Sequence, residues 1–153
     1  MNNVHALERD LLEEIIAREN LNRAWQRVKG NKGAAGCDEV SVPDFPAWAR
    51  EYWPRIKAEL EEGTYLPNAV RRVWIPKANG EQRPLGIPCV ADRVIQQAIA
   101  QVIGPIFEGQ FSDYSYGFRP GRNAHQAVKR VREYFRQGYK QVVDIDLAPG
   151  ILR

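Results

Sequence analysis

The stretch DRVIQQAIAQVIGPIF, residues 92–107, constrains this chain more than any other. Its apolar positions Val94, Ile95, Ala98, Ile99, Val102, Ile103 and Ile106 recur at helical spacing and span a broad face. A face that wide belongs to a core helix, which other elements must cover. Asp92 is placed to cap the helix, Pro105 to kink or end it, and Phe107 and Phe111 to pack at its exit. Arg93, Gln96, Gln97 and Gln101 form the polar side, which suits either solvent or a nucleic acid.

Immediately before it, the runs VRRVWIP and QRPLGIP flank Lys77-Ala78-Asn79-Gly80. Asn-Gly supplies positive backbone dihedrals in tight turns, so the spacing predicts a β-hairpin over Val70 to Ile87. Alternation puts Val73 and Ile75 on one face and Arg72 and Trp74 on the other, with Lys77 and Arg83 near the tip from opposite strands. Two cations at the end of a stiff arm suit either a solvated hairpin or an anionic ligand.

The half of the chain before the hairpin reads as helical. Val4 to Lys29 divides into two short helices, with Leu7, Leu11, Ile15 and Ile16 on one stripe, then Leu21, Trp25 and Val28 after Asn20 as a cap. GNKGAAGCDEVSV has no periodicity and three glycines, which predicts a loop, floppy or functional. Ser41, Pro43 and Asp44 open a helical stretch to Glu62, ended by Gly63. Pro54 should restrict it to a turn near Asp44 and a main helix beyond, with Ile56 and Leu60 inward. Trp48, Tyr52 and Trp53 read as packing residues rather than a base-stacking platform.

After the core helix, SDYSYGFRPGR combines aromatics, arginines and glycines and leads into Asn123 as a helix cap. Glycine lets backbone approach a ligand, and arginine offers a fork for phosphate or a plane for a base. The helix Ala124 to Gln137 places Val128, Val131 and Phe135 inward and Lys129, Arg130, Arg132 and Arg136 mostly outward. Gly138 ends it, and QVVDIDL reads as a strand with Asp144 and Asp146 on one face. Paired carboxylates suit a hard divalent cation, although one Asp-x-Asp is weak evidence of a metal site.

Charge adds direction. From Tyr65 to Lys140 there are twelve Lys or Arg against five Asp or Glu, whereas Met1 to Thr64 holds nine against twelve. The net +3 therefore conceals a basic second half, which points to a polyanionic partner. No apolar run approaches the roughly 18 residues of a membrane span, and MNNVHALERD lacks the layout of a secretory signal. Cys37 and Cys89 lie outside any C-x-x-C and apart from His5 and His125, so unpaired thiols in a reducing cytoplasm are expected rather than a disulfide or metal site.

Taken in order, LNRAWQRVKGNKGAAGCDEVS, the hairpin with RPLGIP, DRVIQQAIAQVIGPIFE, SYGFRPGRNAHQAV and VVDIDL resemble the N-terminal part of bacterial group II intron reverse transcriptases, the intron-encoded maturases. The resemblance runs from about Leu21 to Leu147. It implies an α+β, mainly helical fold: N-terminal extension helices and loop over residues 1–40, reverse-transcriptase fingers over 41–140, and the first palm strand with an aberrant tail over 141–153. Asn31, Lys32 and Gly33 would lie in the loop over the template strand. Lys77 and Arg83 would meet the triphosphate of the incoming nucleotide, and Arg119 and Arg122 would border the RNA template. Asp146 would be the first catalytic, metal-binding aspartate of the palm, with Asp144 a less favoured neighbour. The family's cofactor is Mg2+ or Mn2+, and its partners are intron RNA, template, primer DNA and deoxynucleotide.

The sequence also departs from that pattern. Ile151 stands where the family has an aromatic gate, no Asp-Asp occurs anywhere, and the residues after Leu147 read APGILR. Two-metal phosphoryl transfer needs several carboxylates around ions about 3.5–4 Å apart. The expectation is a truncated reverse transcriptase and maturase, of a family serving intron splicing and mobility. By itself it should polymerise nothing, hold no metal tightly, and self-associate through its exposed palm strand. The alternatives are a stand-alone module that binds intron RNA or complements a palm in trans, and a metal-dependent transferase. The second would need a doubly wound sheet that nothing upstream supplies.

Overall fold

The computed structural model describes residues 10–78 and 80–145. The chain divides into two compact units, Met1–Phe107 and Glu108–Arg153. In the first unit a helical stretch α1 (10–16) is followed by α2 (Arg18–Gly30), α3 (Phe45–Glu61), the antiparallel strands β1 (Arg71–Pro76) and β2 (Gln82–Ile87), and most of α4 (Val90–Glu108). The second unit holds α5 (Ala124–Arg136).

The predicted core helix forms and carries the core. Val90, Ala91, Val94, Ile95 and Ala98 of α4 cluster with Ala24 and Val28 of α2, Val42, and Phe45 and Ile56 of α3. Complete burial of an aliphatic side chain of this size stabilises by roughly 1.5–3 kcal/mol, so these residues hold the unit together. The buried face is narrower than its apolar pattern, because Ile99 and Ile106 are exposed. Pro105 does not end the helix: it lies inside α4, which continues to Glu108.

Two expected caps act differently. Asn20 does not start a helix, since the break comes at Ala17. It is buried within α2, where its Nδ2 donates to the carbonyls of Ile15 (2.9 Å) and Ala98 (3.1 Å) and its Oδ1 accepts from Gln101 Nε2 (2.7 Å). A buried amide is tolerated only when satisfied, and here the satisfaction ties α2 to α4. Asp92 lies within the first turn of α4 rather than at its cap. Its carboxylate is buried and accepts from the Tyr65 hydroxyl (2.6 Å) and the Asn68 N–H (3.3 Å), fastening the segment that leads to the hairpin. Burial, then the bond to Asp92, pushes the Tyr65 hydroxyl well above its ordinary pKa.

Helix α3 also differs from expectation, because it is continuous through Pro54. Proline there removes one backbone donor, but Pro54 and Arg50, whose carbonyl would have been its acceptor, are both exposed, so water can satisfy the freed carbonyl. Gly63 does end the stretch, at φ +70°. The aromatics pack as expected: ring centroids are 4.9 Å apart for Trp25–Phe45, 5.7 Å for Phe45–Trp48 and 5.0 Å for Trp48–Tyr52.

The hairpin forms with Arg71 opposite Ile87, Val73 opposite Leu85 and Ile75 opposite Arg83. Gly80, at φ +85°, donates to the Lys77 carbonyl (3.0 Å), and Lys77 N–H donates to the Glu81 carbonyl (2.7 Å). Asn79, the other half of the turn dipeptide, lies outside the described residues.

The second unit buries little. A capping box starts α5, with Gln126 N–H donating to Asn123 Oδ1 (3.0 Å) and Asn123 N–H to Gln126 Oε1 (2.9 Å). Yet Val128, Val131 and Phe135, expected inward, are 54%, 60% and 64% exposed. The expected strand is absent over 141–145, where Val142, Val143 and Ile145 stand in solvent. A strand is stable only when its backbone groups meet a neighbour, and the described sheet has two strands, both in the hairpin.

Candidate nucleic-acid interface

In the first unit the loop after α2 is pinned rather than floppy. Asn31 closes α2, and Lys32 adopts a left-handed backbone at φ +48°. The chain then runs against α4: Arg93 Nη2 donates to the Ala34 carbonyl (2.6 Å), and a Cβ at Gly33 would overlap Arg93 Nη1. Gly36 is tighter still, since a Cβ there would lie 2.6 Å from the Cys89 Cα. Glycine at 36 therefore answers to close packing on the Cys89 backbone just before α4, whereas at 33 the neighbour is the movable end of the Arg93 side chain.

Beside this loop Asn31, Arg93, Gln96, Gln97, Val28 and Ala100 line a recess of about 330 Å³. Arg93 Nε is buried there with no hydrogen-bond partner among the described residues. The sequence marked Arg93 only as part of a polar side; its role in holding the loop depends on a contact 59 residues away.

At the hairpin tip Lys77 Nζ and Glu81 Oε2 form an ion pair at 2.8 Å, with both side chains about half exposed. Arg83 shares a face with Ile75, Val73 and Leu85, and Lys77 follows two positions after Ile75. Nearly every hairpin residue is exposed, Trp74 included. The arm thus presents cations and apolar surface together.

In the second unit Arg119 and Arg122 part company. The Arg119 side chain is only 7% exposed and commits every guanidinium nitrogen internally: Nε and Nη2 to Glu108 Oε1 (3.1 and 2.8 Å), Nη1 to the carbonyls of Ser112 (2.6 Å) and Ser115 (3.1 Å). It also covers the Phe111 ring. Arg122 is more open, 5.6 Å over the Tyr116 ring and 3.4 Å from Asp113 Oδ1. Just before Arg119, Phe118 is fully exposed with φ +56°, an uncommon backbone for a bulky residue. Nothing in the residue pattern distinguished Phe118 from the other aromatics of that loop.

Farther along α5, His125, Lys129, Arg132 and Arg136 fall at helical spacing on one side and line a groove of about 480 Å³ with Val128 and Glu133. Lys129, Arg132 and Arg136 have no ion-pair partner among the described residues. Arg130 instead lies over Tyr114 and Tyr134 (5.5 and 5.8 Å) and pairs with Glu133. A hydrogen bond with Tyr116 raises the Arg130 pKa further.

Asp144 is exposed, and its partner in the pattern, Asp146, lies outside the described residues. Among the described residues no group of three or more His, Cys, Asp or Glu could hold a metal ion, so a magnesium centre is not assembled from them. Likewise no described helix is long and apolar enough to cross a membrane.

Comparison with known proteins places these features. Residues 75–150 match the family described as "Reverse transcriptase (RNA-dependent DNA polymerase)". The chain is 40% identical over 124 residues to Protein YkfC of Escherichia coli, covering 80% of this chain and 32% of that protein. It is 39% identical over 115 residues to the group II intron-encoded protein LtrA of Lactococcus lactis, covering 73% of this chain and 19% of that one. A shorter match, 42% over 48 residues, joins 31% of this chain to 7% of nuclear intron maturase 1 of Arabidopsis thaliana. The chain thus spans about a third or less of these relatives' lengths. The family match opens at Ile75 within the hairpin and takes in α4, the arginine loop and α5. The chain therefore belongs to the reverse transcriptase family, among the group II intron-encoded proteins and intron maturases.

Proposed function

We propose that this chain provides the fingers surface of a group II intron reverse transcriptase and binds RNA through its second unit, with template and intron RNA as the partners. The observation that carries this reading is the row His125, Lys129, Arg132 and Arg136, three of whose cations have no ion-pair partner among the described residues. Over the eleven steps from His125 to Arg136 a helix rises about 16 Å, long enough to follow a nucleic-acid backbone rather than a single anion. Arg122 and Phe118 extend the surface with a fork and a stacking face. Arg119 holds the loop in shape, since its donors are already used. In the first unit Asn31, Lys32 and Gly33 border the template, and Lys77 and Arg83 meet the triphosphate of the incoming deoxynucleotide once Lys77 leaves Glu81.

Fluorescence anisotropy with a labelled single-stranded RNA tests the reading. Charge reversal of Lys129, Arg132 and Arg136 together should weaken binding at least about ten-fold at low salt and flatten the salt dependence by about two in the log–log slope. Unchanged affinity and slope would overturn it. The chain by itself should extend no primer with either magnesium or manganese, because its one Asp-x-Asp does not make up the carboxylate set of a two-metal site. Template-dependent products from the purified chain would disprove that part.

A further inference from the structure

We infer that Cys37 and Cys89 form an oxidisable pair, a modification site at which a small-molecule disulfide would convert two thiols into an internal bridge locking the loop after α2 onto the start of α4. The residues are 52 positions apart in sequence, yet their sulfurs lie 3.5 Å apart. A second contact shows the same closeness in the backbone, because a Cβ on neighbouring Gly36 would lie 2.6 Å from the Cα and 2.7 Å from the N of Cys89. Both cysteines are free thiols.

Their environments assign the order of steps. Cys37 is exposed and Cys89 fully buried, so only Cys37 meets a reagent from solution. Cys37 Sγ donates to the Ala69 carbonyl at 2.8 Å, which leaves Cys89 as the donor between the two sulfurs. Burial pushes the Cys89 thiol up to about 11, keeping it protonated and unreactive towards solution oxidants at neutral pH. The Cys37 thiolate attacks a sulfur of oxidised glutathione, forming a mixed disulfide and releasing one glutathione thiolate. Cys89 then attacks the Cys37 sulfur, breaking its bond to glutathione, and the Cys89 proton passes to the departing glutathione sulfur, so the second glutathione leaves as the thiol. Two protein thiols are oxidised as one disulfide is reduced to two thiols. The product ties the segment carrying Asn31, Lys32 and Gly33 to α4 at a second point, beside the Arg93 bond to Ala34.

The test equilibrates the reduced full chain with glutathione buffers of graded ratio, quenches with acid, and reads intact mass and alkylation. The expected product is lighter by two hydrogens, carries no alkylatable thiol, and yields a peptide pair linked at Cys37 and Cys89. Half-oxidation should need at least about ten-fold less oxidised glutathione in native buffer than in denaturing urea, because the fold supplies the proximity. Amides of the loop after α2 should exchange more slowly in the bridged form. Cys37→Ser, whose exposed position spares the core, should leave Cys89 unmodified in native buffer. A persistent glutathione adduct on Cys37 with Cys89 still alkylatable would overturn the inference, as would equal oxidation in urea and native buffer or a disulfide-linked dimer as the main product.

Discussion

Helices α4 and α5 both carry apolar residues at helical spacing, a broad face in α4 and a narrow stripe in α5, and the two meet different fates. In the first unit Val90, Val94, Ile95 and Ala98 disappear under α2 and α3. In the second, Val128, Val131 and Phe135 of α5 stay in solvent, and no residue of that helix is buried. The contrast teaches that an apolar stripe specifies a demand for cover, while the cover itself must come from other elements. Local signals work equally in both units: the capping box of α5 is complete although none of the helix's own residues is buried.

The sharpest way to break the comparison is to insert volume where the first unit is tightest. Gly36→Val should cost about 3 kcal/mol or more in urea unfolding, since its side chain meets the Cys89 backbone rather than a movable side chain. Little or no loss would mean that the loop is not held against α4.

A smaller effect should follow pH. The Cys89 thiol sits near 11 in the folded chain against an ordinary value of 9.0. Between these values the unfolded thiol has released its proton and the folded one has not, so the unfolded state binds fewer protons and stability falls as pH rises. Below pH 9 the contribution is fully present. Tyr65, also shifted upward, adds in the same direction at higher pH. Chemical denaturation at pH 8 and 10.5 should show the loss, reduced in Cys89→Ala; a slope that ignores that substitution would remove Cys89 as its source.

The smallest stability effect belongs to the second unit. Phe135→Ser should change unfolding free energy by no more than about 0.5 kcal/mol, as for other exposed positions. We further propose that the uncovered residues Val131, Phe135, Val142 and Val143 drive self-association. Phe135→Ser should then lower the apparent mass at high concentration by light scattering. A core-sized loss of stability would show that this face is covered in solution.

Legibility in the sequence followed the range of the interaction. The hairpin, the Asn123 cap, the left-handed Gly63 and the stacking of Trp48 between Phe45 and Tyr52 depend on neighbours within a few positions, and each was readable; Trp53 was also read as a packing residue, although it packs on a core assembled from distant positions. Asn20 and Asp92 looked like caps because small polar residues before apolar runs usually are. Their real partners, Ala98, Gln101 and Tyr65, lie far along the chain. The candidate site divides similarly. Its basic, aromatic composition was visible, but what separates Arg119 from Arg122 is the burial, carbonyls, carboxylates and rings that the fold sets around each.

By itself, then, the sequence determined the family, through five motifs in order, along with the hairpin and the helices on either side of it, but not the strand expected after Gly138. Tertiary structure decided which stripe became core, which arginine turned inward, and that Cys37 and Cys89 meet at 3.5 Å. The reason is physical: dihedral preference and periodicity are properties of short windows, whereas burial and pairing depend on groups brought together from distant positions.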